Sequence, residues 1–216
     1  MTTLAFDGRS GASGDLLLGA LLAAGADRSA LAPVEDALPI EYDVETVEEV
    51  GIAAIRVRVL LDESDESDQH DEARAQDHSH HHDRSHEHDH SHEHDHSHGH
   101  EHGHETPDGH ETPAEGHGPH RSYAEVREIV ADLPIPEAAR EDALAIFELL
   151  GDAEAAVHGT DLDATHFHEV GADDAIADVV GAALLLDDLD VDSVVTTPIA
   201  AGGGEVESSH GTYPVP

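Results

Sequence analysis

Ten histidines occupy every second position of one stretch: His86, His88, His90, His92, His94, His96, His98, His100, His102 and His104. They lie in a longer tract that holds eighteen of the chain's 22 histidines between His70 and His120. A neutral imidazole binds nickel, zinc, copper or cobalt, and interleaved Asp and Glu add oxygen donors, so the tract offers many interchangeable N/O sites. Ser85 to His90 and Ser91 to His96 both read SHEHDH, which argues against histidines scattered by chance. Imidazole affinity follows one order for every such site, so the tract collects metal without choosing it. Selection has to come from supply or from a shaped site elsewhere in the chain.

Three other segments could supply that shape. Asp7 to Asp15 reads DGRSGASGD, a glycine-rich turn ahead of an apolar helical pattern. Its glycines can point successive backbone amides at one spot, and with the following helix start the loop could hold a phosphate. It is neither a Walker loop nor a dinucleotide fingerprint. A tight turn with Ser13 as helix cap explains it equally well, and Asp15 would repel phosphate unless a metal lay between them. In His166-Phe167-His168-Glu169, an extended backbone would set His166 and His168 on one face with Phe167 turned to the core. Asp174 and Asp178 stand four apart on the next helical stretch and share a face, so two imidazoles and nearby carboxylates could hold one metal with a position left for exchange. The third segment is His210, after the triple glycine of Gly202 to Gly204, placed to act as a ligand or a proton carrier.

The elements that must position these groups follow from periodicity and turn residues. Thr3 to Phe6 reads as a strand, Leu16 to Ala24 as a helix stopped by Gly25, and Ser29 to Ala37 as a short helix ended by Pro39. Tyr42 to Val50 and Ile52 to Leu61 alternate polar with apolar around Gly51, the pattern of an antiparallel pair. Ser122 and Glu125 form a capping box for a helix to about Leu133, and Pro136 opens a longer one through Val157. Ala164 to Val170 is expected to be a strand, Asp173 to Leu189 a helix, Ser193 to Ile199 a strand, and the segment from Gly202 to Pro216 a loop. The fold class expected is α/β or α+β: one compact domain whose halves, 1–61 and 121–216, flank a histidine-rich insert at 62–120. With almost nothing apolar to bury, that insert is expected to be disordered when free.

Composition narrows the function. The formal charge is -40. Outside 62–120 the chain still holds 31 of its 49 acidic residues against seven arginines, and it has no lysine, so the acidity belongs to the whole protein. Such a surface suits folding in concentrated salt, where screening removes self-repulsion. It excludes nucleic-acid binding through a basic face. The absence of cysteine removes disulfides, thiolate metal sites and thiol catalysis, leaving imidazole and carboxylate as ligands. No stretch reaches membrane-spanning length and nothing directs export, so the cytoplasm is the expected compartment.

SGASGDLLLGALL from Ser10, HFHEVGADDAIADVVGA from His166 and GGGEVESSHGTYPVP from Gly202, set around a histidine-rich insert, resemble the LarC nickel-insertion proteins. That resemblance implies insertion of nickel into pyridinium-3,5-bisthiocarboxylic acid mononucleotide, giving a nickel-pincer cofactor, with CTP and a second divalent ion consumed. It implies Asp15, His166, His168, Asp174 and Asp178 as metal-site residues, Glu169 and His210 as catalytic candidates, and Ser10, Gly11, Ser13 and Gly14 as the substrate-phosphate loop. Members of that family continue well past the PVP at Pro216, and their nucleotide-using part lies in that continuation. The sequence therefore reads as an N-terminal subunit or fragment, with a C-terminal partner and a recipient enzyme as expected partners. A non-catalytic nickel store or metallochaperone, in which the histidine tract is the whole function, is the competing reading.

Overall fold

The computed structural model describes residues 1–49, 51–61, 119, 121–167, 170–208 and 211–215. The expected disorder of 62–120 concerns residues that, apart from 119 and at the margin, lie outside that set. Met1–Glu63 and Glu111–Pro216 form one compact unit of mixed helix and strand.

The two alternating runs pair as expected. Strand β2, Ile40–Glu49, and strand β3, Ile52–Leu61, lie antiparallel in the register Ile40↔Leu61, and Gly51 turns between them at φ +78. Ile40, Tyr42 and Val57 are buried on the inner face, with Val44, Ile55 and Val59 partly buried beside them. The outer face is charged, and its registered neighbours Asp43 and Arg58 form an ion pair.

Two helices cover the inner face. Helix α1, Gly14–Ala24, buries Leu18, Gly19, Leu21 and Leu22 and ends at Gly25 in the left-handed conformation. Gly19 is required by its neighbour: a Cβ there would stand 2.5 Å from the Ile55 carbonyl oxygen, so helix and strand meet backbone to backbone. After a 3₁₀ turn at Arg28–Leu31 and the single-turn α2, Ala32–Glu35, Glu35 receives the Tyr42 amide and both terminal nitrogens of Arg28. The expected helix over 29–37 is thus broken into two short pieces, with Pro33 sitting in the first turn of the second.

Helix α3, Tyr123–Asp132, starts at the expected capping box, with the Ser122 hydroxyl accepting from the Glu125 amide and the Glu125 carboxylate accepting from the Ser122 amide. Helix α4, Glu137–His158, follows Pro136 and lays Ala139, Ala143, Phe147, Gly151 and Ala155 into the core. The centre belongs to helix α5, Asp173–Asp188, whose Ile176, Ala177, Val180, Ala183, Leu184 and Leu185 are buried.

Strand β1, Thr3–Phe6, pairs in parallel with strand β4, Ser193–Thr196, which stops three residues short of the expected Ile199. Gly204 to Val215 was expected to be loop but forms a hairpin, strand β5 (Gly204–Ser208) against strand β6 (Gly211–Val215).

Among the described residues of 164–170 the expected strand does not form. Leu162–Ala164 makes a 3₁₀ turn, and His166 makes one isolated antiparallel bridge to Ser122. Tyr123 N donates to the Thr165 carbonyl at 2.9 Å and Phe167 N donates to the Arg121 carbonyl at 3.0 Å. Toward Thr165 the pairing ends because its partner turns into α3 at Tyr123; the other direction runs into residues outside the described set. Phe167 does enter the core as expected, edge-on to Tyr123 and tilted against Phe147, with ring centroids 6.3 Å apart in both pairs.

Candidate functional site

Ligand sites in parallel sheets gather at the carboxyl ends of the strands, where loops diverge. Here the loops leaving β1 and β4 are laced together. Thr197 N donates to the Phe6 carbonyl at 3.0 Å, Ala200 N to the Gly8 carbonyl at 2.9 Å, and Gly8 N to the Thr197 hydroxyl at 2.9 Å. Gly8 is tightly packed, since a Cβ would lie 2.9 Å from Ile199 Cγ1. Asp7 accepts from Arg9 through both carboxylate oxygens, and this guanidinium holds the Asp7 carboxyl below its ordinary range. Ser10 closes the 3₁₀ turn of Gly8–Ser10, and Gly11 follows at φ +95 beside the Ala200 carbonyl. Both lie at this loop's open side.

Gly14 begins α1, and Ser13 takes the cap position with extended backbone, as expected. Its hydroxyl does not cap the helix; it donates to the Asp15 carboxylate instead. Asp178, on α5, reaches the same place: a Cβ on Gly14 would stand 1.8 Å from its Oδ2. Gly14 is therefore needed for room, so that a carboxylate can approach the positive end of a helix. Asp174 lies one turn earlier on the same face of α5, and its Oδ1, like that of Asp178, is buried. Beneath them the Tyr42 hydroxyl donates to the Ala177 carbonyl at 2.6 Å. Burial, reinforced by the Asp178 charge, pushes that hydroxyl well above its usual range.

His166 is exposed, next to the capping box, and its charge helps hold the Glu125 carboxyl down after the Ser122 hydrogen bonds have done most of that work. The glycine loop, Asp15 and Asp178 thus meet at the start of α1, with Asp174 one turn away along α5. Among the described residues, no three His, Asp or Glu side chains come close enough together to hold a metal ion. His168, Glu169, His210 and the ten alternating histidines lie outside the described residues. The shared face expected of His166 and His168 rests on a residue outside that set.

Two groups escaped the sequence reading. Asp173, 2% exposed, forms an ion pair with Arg121 at 2.7 Å, and Arg121 also donates to the Gly171 carbonyl at 3.0 Å. A lone arginine after the histidine tract and an acid at a helix start were the only signals, and each resembles ordinary surface. Thr197, which ties the two loops together, carried no signal at all.

A family profile described as nickel insertion protein matches residues 4–216. A Nocardioides protein named pyridinium-3,5-bisthiocarboxylic acid mononucleotide nickel insertion protein is 35% identical over the whole chain, which covers 42% of its length. A protein of the same name from Akkermansia muciniphila is 34% identical, again over the whole chain and over 43% of its own length. A Methanococcoides burtonii relative is 32% identical, with 41% of its length covered. The chain thus spans less than half the length of the curated relatives it matches. No solved structure matches it.

Proposed function

Since this chain belongs to the nickel insertion protein family, we propose that it takes part in inserting nickel into pyridinium-3,5-bisthiocarboxylic acid mononucleotide, as the portion that receives the metal and seats the substrate. The observation that carries this reading is the meeting of Gly14 with Asp178, which joins the SGASGD and GADDAIAD segments of the sequence in one place. Ser10, Gly11, Ser13 and Gly14 would seat the mononucleotide phosphate, with a cation bridging to Asp15. Asp174 and Asp178 would hold nickel as cargo together with His168 from outside the described residues, and His166 would pass the metal to them.

A site of imidazole and carboxylate suits transfer. The substrate offers two sulfur donors and a ring carbon, so nickel passes from harder ligands to softer ones. The ring carbon gives up its proton as the metal bonds to it, and Glu169 or His210 would accept that proton. The reaction class is that of a metal chelatase, a nickel-inserting lyase. CTP and a second divalent ion would be used by a C-terminal part beyond the matched length, and the finished cofactor would pass to a recipient enzyme. The acidic, lysine-free surface is read as an adaptation to high salt in a cytoplasmic protein, and the histidine-rich insert at 62–120 as a disordered collector. No helix among the described residues is long and apolar enough to cross a membrane.

Calorimetry with Ni²⁺ on a protein lacking residues 70–120 tests the reading. Uptake at a small number of sites, strengthened by the mononucleotide and lost in Asp178→Asn and in His166→Ala/His168→Ala, is the expected outcome. No uptake with or without the mononucleotide would sink it. The alternating histidines favour a second reading, a nickel store or metallochaperone, and the same deletion separates the two. A store loses all nickel binding, whereas the insertion protein loses capacity but keeps turnover in excess nickel once the C-terminal part is supplied.

A further inference from the structure

A parallel pair of strands is ordinarily covered on both faces and continued by further strands. The β1–β4 pair is neither. Among the described residues the sheet has only these two strands, and all four residues of β4 are exposed. Val194 and Val195, which point to opposite faces, are 50% and 52% exposed. In the loop that follows, Ile199 is 60% exposed. The β5–β6 hairpin continues the pattern: every residue of it whose side chain is described is exposed, including Val206 at 51%. A lone two-stranded hairpin is marginal in water, and exposed valines on an open strand edge invite another chain.

From this we infer that the free edge of β4 and the β5–β6 hairpin form the docking face for that part of the longer family members which has no counterpart in this chain. Three observations select this occupant. The relatives matched over the whole chain have only 41–43% of their length accounted for by it, so more than half of each remains to be placed. Three of the four exposed valines, Val194, Val195 and Val206, lie between Ser193 and Val206, late in the matched stretch. A second copy of this chain fits poorly, because the formal charge is -40 and exposed Asp190 and Glu205 lie just before β4 and within β5, so two copies would bring net negative charge together. The segment that docks should therefore add a strand to β4 and carry an apolar centre with a basic or neutral rim. The inference rests on family membership and not on nickel chemistry, so a failed nickel titration leaves it standing.

A photo-reactive side chain placed at Val195, or at Val206, tests it in the cells from which the chain comes. Leu149, exposed at 71% on α4, serves as the control position. After irradiation, mass spectrometry should find adducts to peptides of the family's remaining portion at both valines, and these should be lost at Leu149. Adducts to residues 1–216 of another copy, adducts to an unrelated protein, or equal yields at all three positions would each overturn the proposal. All three positions are exposed, so the replacements should fold, and an unchanged thermal midpoint of each purified protein verifies that.

Discussion

The two antiparallel hairpins of this chain share a construction and differ in their surroundings. Both are turned beside a glycine at positive φ, Gly51 in one and Gly211 in the other, and both alternate apolar with polar residues. The β2–β3 hairpin lies under α1 and α5 and buries Ile40, Tyr42 and Val57, whereas Val206 of the β5–β6 hairpin stands half exposed. The contrast teaches that strand pairing specifies shape while the covering helices supply the stability, since paired backbone amides merely exchange water for each other.

The most severe way to break the comparison is the same substitution in both places. Val57→Asp puts a carboxylate where a side chain is 2% exposed and should cost roughly 4 kcal/mol or more, enough to unfold the domain in a thermal melt. Val206→Asp should shift the same melt by less than about 0.5 kcal/mol. A smaller disturbance targets the cover. Gly19→Ala pushes a methyl group toward the Ile55 carbonyl and should cost about 1–3 kcal/mol, read from urea unfolding. Tyr42→Phe removes one buried hydrogen bond to α5 and should cost about 1 kcal/mol, with the backbone circular dichroism unchanged.

The gentlest probe is acid. Ser29 hydrogen bonds hold the Asp27 carboxyl below its ordinary range, and Ser122 hydrogen bonds do the same for Glu125. A depressed folded-state value means that the stabilisation is present above the unfolded range, near pH 4, and is lost as pH falls through the lower folded values. The melting temperature should decline slightly below about pH 4, and Glu125→Gln should flatten that decline. An identical slope in the variant would remove Glu125 from the account.

Reading residues in order captured what is local. The capping box at Ser122 and Glu125, the left-handed stop at Gly25 and the turn at Gly51 each state their own geometry, and α1, α3, α4 and α5 follow within a residue or two. The spacing of Asp174 and Asp178 likewise fixed their common face. What escaped depends on neighbours distant in the chain. Nothing near Gly14 announces that Asp178 will press against it, and a glycine suited to a phosphate turn looks the same as one needed for close approach. Thr165 to Phe167 had strand-like residues, but on the Thr165 side their partner turns into α3, which stops the pairing there. In the final segment, glycines and Pro214 masked the alternation of Val206 and Tyr213 that lets the strands pair.

Arg121 has one more effect. Its clasp on Asp173 and on the Gly171 carbonyl pins Arg121, the residue that follows the histidine tract in sequence, beside the first turn of α5. On the proposed function, the covalent link alone would make handover from those histidines to Asp174 and Asp178 a first-order event, indifferent to how dilute the protein is. Cutting the chain between the tract and Arg121 would turn that private delivery into an ordinary encounter between two solutes.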